Sequence, residues 1–154
     1  MMENKGLQID FRIVRILDLG YFINETVNVN QDNIKLGYGM DFSLDVTQNW
    51  IEFIVSVEFK DEETGITFLS GSTLTRFFVK DLSNFIGENN LALFQDNSVE
   101  TLFGIAFTHM RAMFSKNIAG SKFGWMIVPV IDAKKLFTDL FKNTQKSKEE
   151  QSKS

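Results

Sequence analysis

From Leu36 to Phe59 the chain alternates apolar and polar residues twice over, and this period of two limits most strongly what it can fold into. Leu36, Tyr38, Met40, Phe42, Leu44 and Val46 are separated by Gly37, Gly39, Asp41, Ser43, Asp45 and Thr47. Ile51, Phe53, Val55, Val57 and Phe59 then alternate with Glu52, Ile54, Ser56, Glu58 and Lys60. Successive side chains of an extended strand point to opposite faces, so each run has one apolar and one wetter face. Gln48-Asn49 supplies a turn, and the two runs pair as an antiparallel hairpin.

The flanking segments extend the hairpin into a meander. Asp61 to Gly65 is a polar turn ending in glycine, and Ile66 to Val79, rich in Thr, Phe and Leu, reads as a further strand with Gly71 marking a bulge or bend. Upstream, Leu7, Ile9, Phe11 and Ile13 alternate before Val14, Arg15 and Ile16 break the phase, as a bulged strand does.

After Lys80 the period changes. Asp81 is placed to cap a short helical turn carrying Leu82, Phe85 and Ile86, with Gly87 ending it. Asn97 and Glu100 have capping-box spacing before Val99, Leu102, Phe103, Ala106, Met110, Met113 and Phe114, which recur at helical steps. The long helix so defined ends near Asn117 to Gly120. Phe123 to Val130, around the only proline, Pro129, reads as extended. Asp132 then caps a shorter helix with Leu136, Phe137, Leu140 and Phe141 on one stripe. Residues 142–154 contain no apolar side chain and read as a disordered polar tail beyond a single domain spanning 1–141. Strands first and helices after give an α+β fold: a four-stranded antiparallel sheet with a long amphipathic helix and a shorter C-terminal helix on one side.

Composition narrows the function classes. Lys and Arg number 16 against 20 Asp and Glu, a net charge of -4 that disfavours the phosphate-binding surface of a nucleic-acid protein. No apolar run is long enough to span a membrane, and Met1 to Asp10 lacks an apolar leader, so the expectation is a cytoplasmic protein without membrane insertion. With no cysteine, neither disulfides nor zinc–thiolate sites stabilise the fold. Sixteen phenylalanines suggest more apolar surface than one sheet–helix interface consumes, and hence oligomerisation or ligand binding.

Residues that carry chemistry are sparse. His109 has no second histidine and no cysteine to complete a metal site or a nucleophile pair. Asp41 and Asp45 share a strand face but stand roughly 13 Å apart, too far for a glycosidase-type carboxylate pair. Gly37-Tyr38-Gly39 lacks the third glycine and following helix of a dinucleotide loop, and Asp61-Glu62-Glu63 lacks the spacing of a calcium loop. The expectation is therefore a protein that is not an enzyme and needs no cofactor. One constellation remains. Tyr21-Phe22-Ile23 and then Asn24 to Lys35, with Val27, Val29 and Ile34, form a long connection that keeps apolar residues; they either lie back on the sheet or serve binding.

Phe11-Arg12-Ile13-Val14-Arg15-Ile16 at the start, Leu102-Phe103, Met113-Phe114-Ser115-Lys116, Val128-Pro129-Val130 and Leu136-Phe137 follow in an order and spacing that resemble the SecB family of export chaperones. The resemblance spans about Leu7 to Phe141. It implies an ATP-independent holdase for unfolded or pre-secretory polypeptides, with subunits paired through sheets and then through long helices into a dimer of dimers. It further implies client grooves, whose matching positions are Tyr21, Phe22, Ile23, Val27 and Val29 in the crossover, Tyr38, Met40 and Phe42 in strand two, and Phe137, Leu140 and Phe141 in the last helix. The departures bear on the partner. Family members that deliver to SecA carry carboxylates on the exposed sheet face and an acidic tail. Here Gly20 and Gly71 follow Leu19 and Ser70, and the tail from Lys142 has four lysines against two glutamates. SecA is thus a doubtful partner, and an antitoxin of a toxin–antitoxin system fits as a client equally well. A different class, a small apolar-ligand carrier or enzyme with a pocket between sheet and helices, would use the same phenylalanines as lining.

Overall fold

The computed structural model describes residues 9–86 and 98–153. Four strands come first: β1 Phe11–Ile23, β2 Ile34–Asp45, β3 Trp50–Asp61 and β4 Thr67–Val79; two helices follow, α1 Ser98–Ile118 and α2 Ala133–Ser152. Single 3-10 turns, Gln31–Asn33 and Leu82–Phe85, sit between elements. The strands form one antiparallel sheet in the order β1-β4-β3-β2, with both helices on the same side, and the fold is α+β. No described helix is long and apolar enough to cross a membrane.

The alternation read from the sequence sets the register. Leu36, Tyr38, Met40, Phe42 and Leu44 stand opposite Phe59, Val57, Val55, Phe53 and Ile51, so the apolar rows of β2 and β3 share the face under the helices. Asn49 makes the intervening turn possible by adopting a left-handed conformation at φ 58, which asparagine tolerates better than most residues. Its Oδ1 accepts the Leu82 amide at 3.1 Å. Asp81, expected to cap that short turn, is itself left-handed and makes no side-chain cap. Asp132 does cap α2, accepting from the amides of Lys134 and Lys135. Gly87, Asn97 and Leu7 lie outside the described residues.

Phenylalanines form the lattice between the layers. Phe53 meets Phe42, Phe77 and Phe103 at centroid distances of 5.3, 6.1 and 6.0 Å. Phe59 of β3 stacks on Phe114 of α1 at 5.6 Å with ring planes 5° apart, and Phe68 packs on Phe123. Rings of this size dominate core burial. Most of the phenylalanine content is therefore consumed inside one subunit, as Phe53, Phe59, Phe68, Phe77, Phe103, Phe107, Phe114, Phe123 and Phe137 are all buried.

Three expectations change. Tyr21, Phe22 and Ile23 belong to β1, paired with Gly71, Ser70 and Leu69. The crossover begins at Asn24, whose amide donates to the Phe68 carbonyl, so the backbone of Tyr21–Ile23 is satisfied by the sheet rather than by a loop. The break in phase after Ile13 is a bulge, as the sequence indicates, and a second follows between Asp18 and Gly20. Gly71 marks no bulge: it pairs in regular register with both neighbours. A Cβ there would approach Phe114 Cδ2 to 2.9 Å, so glycine is needed for the close approach of α1. Finally, α2 runs on to Ser152, past the end of its apolar stripe at Phe141. Lys, Glu and Gln are good helix formers, and once the docked turns exist each added residue gains a hydrogen bond without a new nucleation cost.

Candidate functional site

Strand order leaves β1 and β2 as outer strands, each with one backbone edge that meets no other strand among the described residues. The expected groove residues divide between these two edges.

At β2 the apolar row faces inward. Tyr38, Met40 and Phe42 point to the helix-covered side, opposite Val57, Val55 and Phe53. α2 lies against β2 and α1. Its anchor is Phe137, which packs on Phe103 at 5.4 Å and on Phe141 at 5.8 Å. Met40 and Phe137 are 7% and 3% exposed, and so are core residues in this closed arrangement. Tyr38, Phe42, Leu140 and Phe141 are half-buried along the seam. Tyr38 also brings a polar atom into it. Its ring meets Phe107 edge-on at 5.6 Å, and its hydroxyl is buried with no hydrogen-bond partner among the described residues. Burial pushes its pKa up, opposed by the nearby Arg111 charge.

The crossover packs down. Val27 and Val29 are half-buried against the core, and Lys122 Nζ donates to the Val27 carbonyl at 2.9 Å. Ile23 is likewise half-buried, whereas Tyr21 and Phe22 are 55% and 48% exposed. The structure thus brings Tyr38, Met40 and Phe42 together with the α2 stripe, and leaves Tyr21 and Phe22 across the sheet on β1.

Sequence reasoning missed the rest of β1. Ile13, Val14, Ile16, Leu17 and Leu19 are exposed as well. The signal was present in the loss of alternation: apolar residues occupy both phases, so each face of this strand exposes apolar side chains alongside Arg12, Arg15 and Asp18. A second patch that it missed follows α1, where Trp125, Ile127 and Val130 are exposed.

On the face away from the helices, a depression of about 540 Å³ includes Gly39, Ser56, Ser72 and Gly20 in its lining, which the register sets side by side across all four strands. His109 lies elsewhere, on α1, with Nδ1 3.0 Å from Thr75 Oγ1 of β4; burial holds its pKa below the usual value.

No protein-family model and no curated protein matches the sequence. Solved structures do match. The Mycobacterium tuberculosis Rv1957 SecB-like chaperone, determined in complex with a ChAD peptide from the Rv1956 HigA1 antitoxin, superposes with a TM-score of 0.51 at 11% identity, over 80% of this chain and 88% of that one. The fold is SecB-like. A protein of unknown function from Streptococcus agalactiae also matches, with a TM-score of 0.43 at 10% identity, over 80% of this chain and 98% of that one. In the SecB-like frame the expected groove positions of strand two and the last helix fall on one seam, and those at the start of the crossover fall on the opposite edge strand.

Proposed function

We propose that the protein is an ATP-independent holdase that binds unfolded or pre-secretory polypeptides along the β2–α2 seam, without catalysis and without a cofactor. The observation that carries this reading is the outer edge of β2, which meets no other strand among the described residues, lying beside the half-buried apolar stripe of Leu140 and Phe141. An extended segment that adds to such an edge gains main-chain hydrogen bonds, and its alternate side chains enter the apolar seam. Apolar burial at about 25 cal/mol per Å² is tolerant of sequence, which suits a protein with varied clients. The buried Tyr38 hydroxyl adds an unmet hydrogen bond, which costs about 1–3 kcal/mol until a polar group reaches it.

The fold neighbour binds a peptide from an antitoxin, and by that analogy an antitoxin is a client class of this chain, whereas the lysine-rich tail speaks against delivery to SecA. Cytoplasmic location and assembly into a dimer of dimers complete the proposal. A carrier or enzyme with a pocket between sheet and helices is the weaker reading. The aromatic lattice fills that interface, and the 540 Å³ depression opens on the other face.

The test combines native mass spectrometry with suppression of aggregation of an unfolded client. Oligomeric protein should protect the client, and Leu140→Ser with Phe141→Ser should raise the protein needed by about tenfold or more, given roughly 1.5–3 kcal/mol for each fully engaged apolar side chain. A monomer that gives no protection over a roughly thousand-fold concentration range, about 4 kcal/mol in binding free energy, refutes the reading.

A further inference from the structure

The backbone of β2 has a phase, as its side chains do. The Asn33 carbonyl accepts the Glu62 amide at 2.7 Å, one step beyond the Ile34–Asp61 pair that opens the β2–β3 register. Hydrogen-bonded and non-hydrogen-bonded pairs alternate along an antiparallel ladder, and this register runs to Asp45 and Trp50 without a slip. Lys35, Gly37, Gly39, Asp41 and Ser43 therefore give their N–H and C=O groups to β3. Those of Leu36, Tyr38, Met40, Phe42 and Leu44 point the other way, out of the sheet edge.

The far side of β3 agrees. The Val79 amide donates to the Asn49 carbonyl at 2.8 Å, one step beyond the Trp50–Phe78 pair. Ile51, Phe53, Val55 and Val57 accordingly bond to β4, which leaves the alternate residues of β3 for β2. On β2, then, the residues whose backbone faces outward are also those whose side chains turn to the helix layer, opposite Phe59, Val57, Val55, Phe53 and Ile51.

We propose that client segments add antiparallel to β2, and that they carry an apolar, N–H-bearing residue at every second position, a basic residue opposite Asp41 and an acidic residue opposite Lys35. The proposal rests on the holdase reading and deepens it by naming the class of segment held.

Orientation comes first. Every strand pair in this sheet is antiparallel, and antiparallel pairing is the more stable per residue. A client residue opposite Met40 then exchanges both hydrogen bonds with it, and residues directly opposite share a face. Its side chain enters the seam beside Leu140 and Phe141 while its own N–H is bonded to β2. The next residue turns its side chain to water and its N–H away from β2. Proline, which has no N–H, fits at these water-facing positions and fails at the inward ones. Parallel addition would reverse the rule, because Met40 would then bond to the two neighbours of the residue opposite it.

Charge sets the direction of the segment. Asp41 and Lys35 are exposed on the side away from the helices, and neither forms an ion pair within the described residues. Between them stand Gly37 and Gly39, which present no side chain to a segment laid alongside. For an antiparallel segment running from Phe42 toward Leu36, the basic residue comes first and the acidic one six positions later, the spacing of Asp41 and Lys35. Both meet β2 in non-hydrogen-bonded pairs, where opposed side chains are closest.

An N-methyl scan tests the rule. The probe is a dye-labelled nine-residue peptide with leucine at positions two, four, six and eight, lysine at three, threonine at five and seven, and glutamate at nine, read by fluorescence anisotropy. Methylating the amide at four or six should weaken binding about tenfold or more, since each loses a hydrogen bond and strands a carbonyl. Methylating five or seven should change it by less than about twofold. Asp41→Lys should weaken the peptide about threefold, and glutamate in place of the lysine at three should restore it. Greater damage from methylation at five and seven would show parallel addition and overturn the orientation. Equal binding of every methylated peptide overturns strand addition, and the holdase reading stands if the protein still protects an unfolded client. Failure of the peptide to bind protein that protects a client likewise overturns the named class alone. Alternating sensitivity in protein that protects no client supports the edge rule although the holdase reading falls.

Discussion

Gly71→Ala isolates the closest approach between α1 and the sheet. A Cβ at this position would stand 2.9 Å from Phe114 Cδ2 and 3.7 Å from its Cε2. Phe114 has little room to yield, since it is 2% exposed and stacked on Phe59 with planes 5° apart. Forcing an added methyl into a packed core costs about 1–3 kcal/mol. Against that, removing a glycine from a strand interior recovers about 0.5–1 kcal/mol of backbone entropy. The net expectation is destabilisation by about 1–2 kcal/mol, which lowers Tm by about 3–6 °C in a chain of this size. Urea unfolding at fixed protein concentration measures it, with Gly37→Ala as the control. Nothing lies within 4 Å of a Cβ at Gly37 and its φ is not positive, so that substitution should be neutral or mildly stabilising. In a Phe114→Leu background the penalty of Gly71→Ala should shrink, because the branched side chain has no ring atom at that point. Equal stability of Gly71→Ala and Gly37→Ala would refute the close approach and, with it, the account of why glycine stands there.

Two further predictions concern single residues. Asn49 combines a left-handed φ with a cap on Leu82, so Asn49→Ala should cost about 2–3 kcal/mol and Asn49→Gly about 1, the difference being the strain of αL without glycine; identical urea midpoints would show that the conformation carries no strain. His109 has a folded pKa held below its unfolded value near 6.5 by burial. The stability tied to its neutral form is therefore fully present above pH 6.5 and declines as pH falls toward the folded pKa, where the unfolded chain binds the proton first. His109→Asn should flatten the stability profile between pH 7.5 and 5.5, and an unchanged slope would assign the pH dependence to other groups.

The parts of the fold that were legible in the sequence were those with one dry face. Alternation alone aligned Tyr38, Met40 and Phe42 with Val57, Val55 and Phe53, because a slip by one residue would turn every apolar side chain of β2 to water. The stripe Leu136, Phe137, Leu140 and Phe141 likewise announced which side of α2 is packed, and Asp132 announced its start. What the sequence hid was set by contacts at long range. Gly71 looks like strand punctuation until α1 folds over it, and Asp81 looks like a cap until Asn49, more than thirty residues earlier, reaches the Leu82 amide first. The continuation of α2 was hidden for another reason: a segment without apolar residues cannot nucleate a helix, yet it can extend one. For the candidate site, pattern placed Tyr38, Phe42, Leu140 and Phe141 on one seam. It could not separate Tyr21 and Phe22 from them, since their distance depends on β1 and β2 being at opposite ends of the sheet order.

That separation bears on what each outer strand offers a partner. β1 exposes apolar side chains on both faces, Ile13 and Ile16 on one and Leu17 and Phe22 on the other, interrupted by Arg12, Arg15 and Asp18, so a strand added there would bury apolar surface above and below. β2 is apolar on its inner face only, with Lys35, Gly37, Asp41 and Ser43 exposed along the other. A segment added to β2 gains main-chain hydrogen bonds and one row of apolar contacts, and its outward side chains remain in water. Half the burial per residue means weaker retention, and because affinity within related complexes varies chiefly through the off-rate, it also means faster release. A holdase, the function proposed above, needs release as much as capture. The two edges are thus distinguished by the phase of their apolar residues: the strand that lost its alternation offers apolar contacts on both faces, and the strand that kept it offers the single apolar row that suits the reversible client binding proposed above.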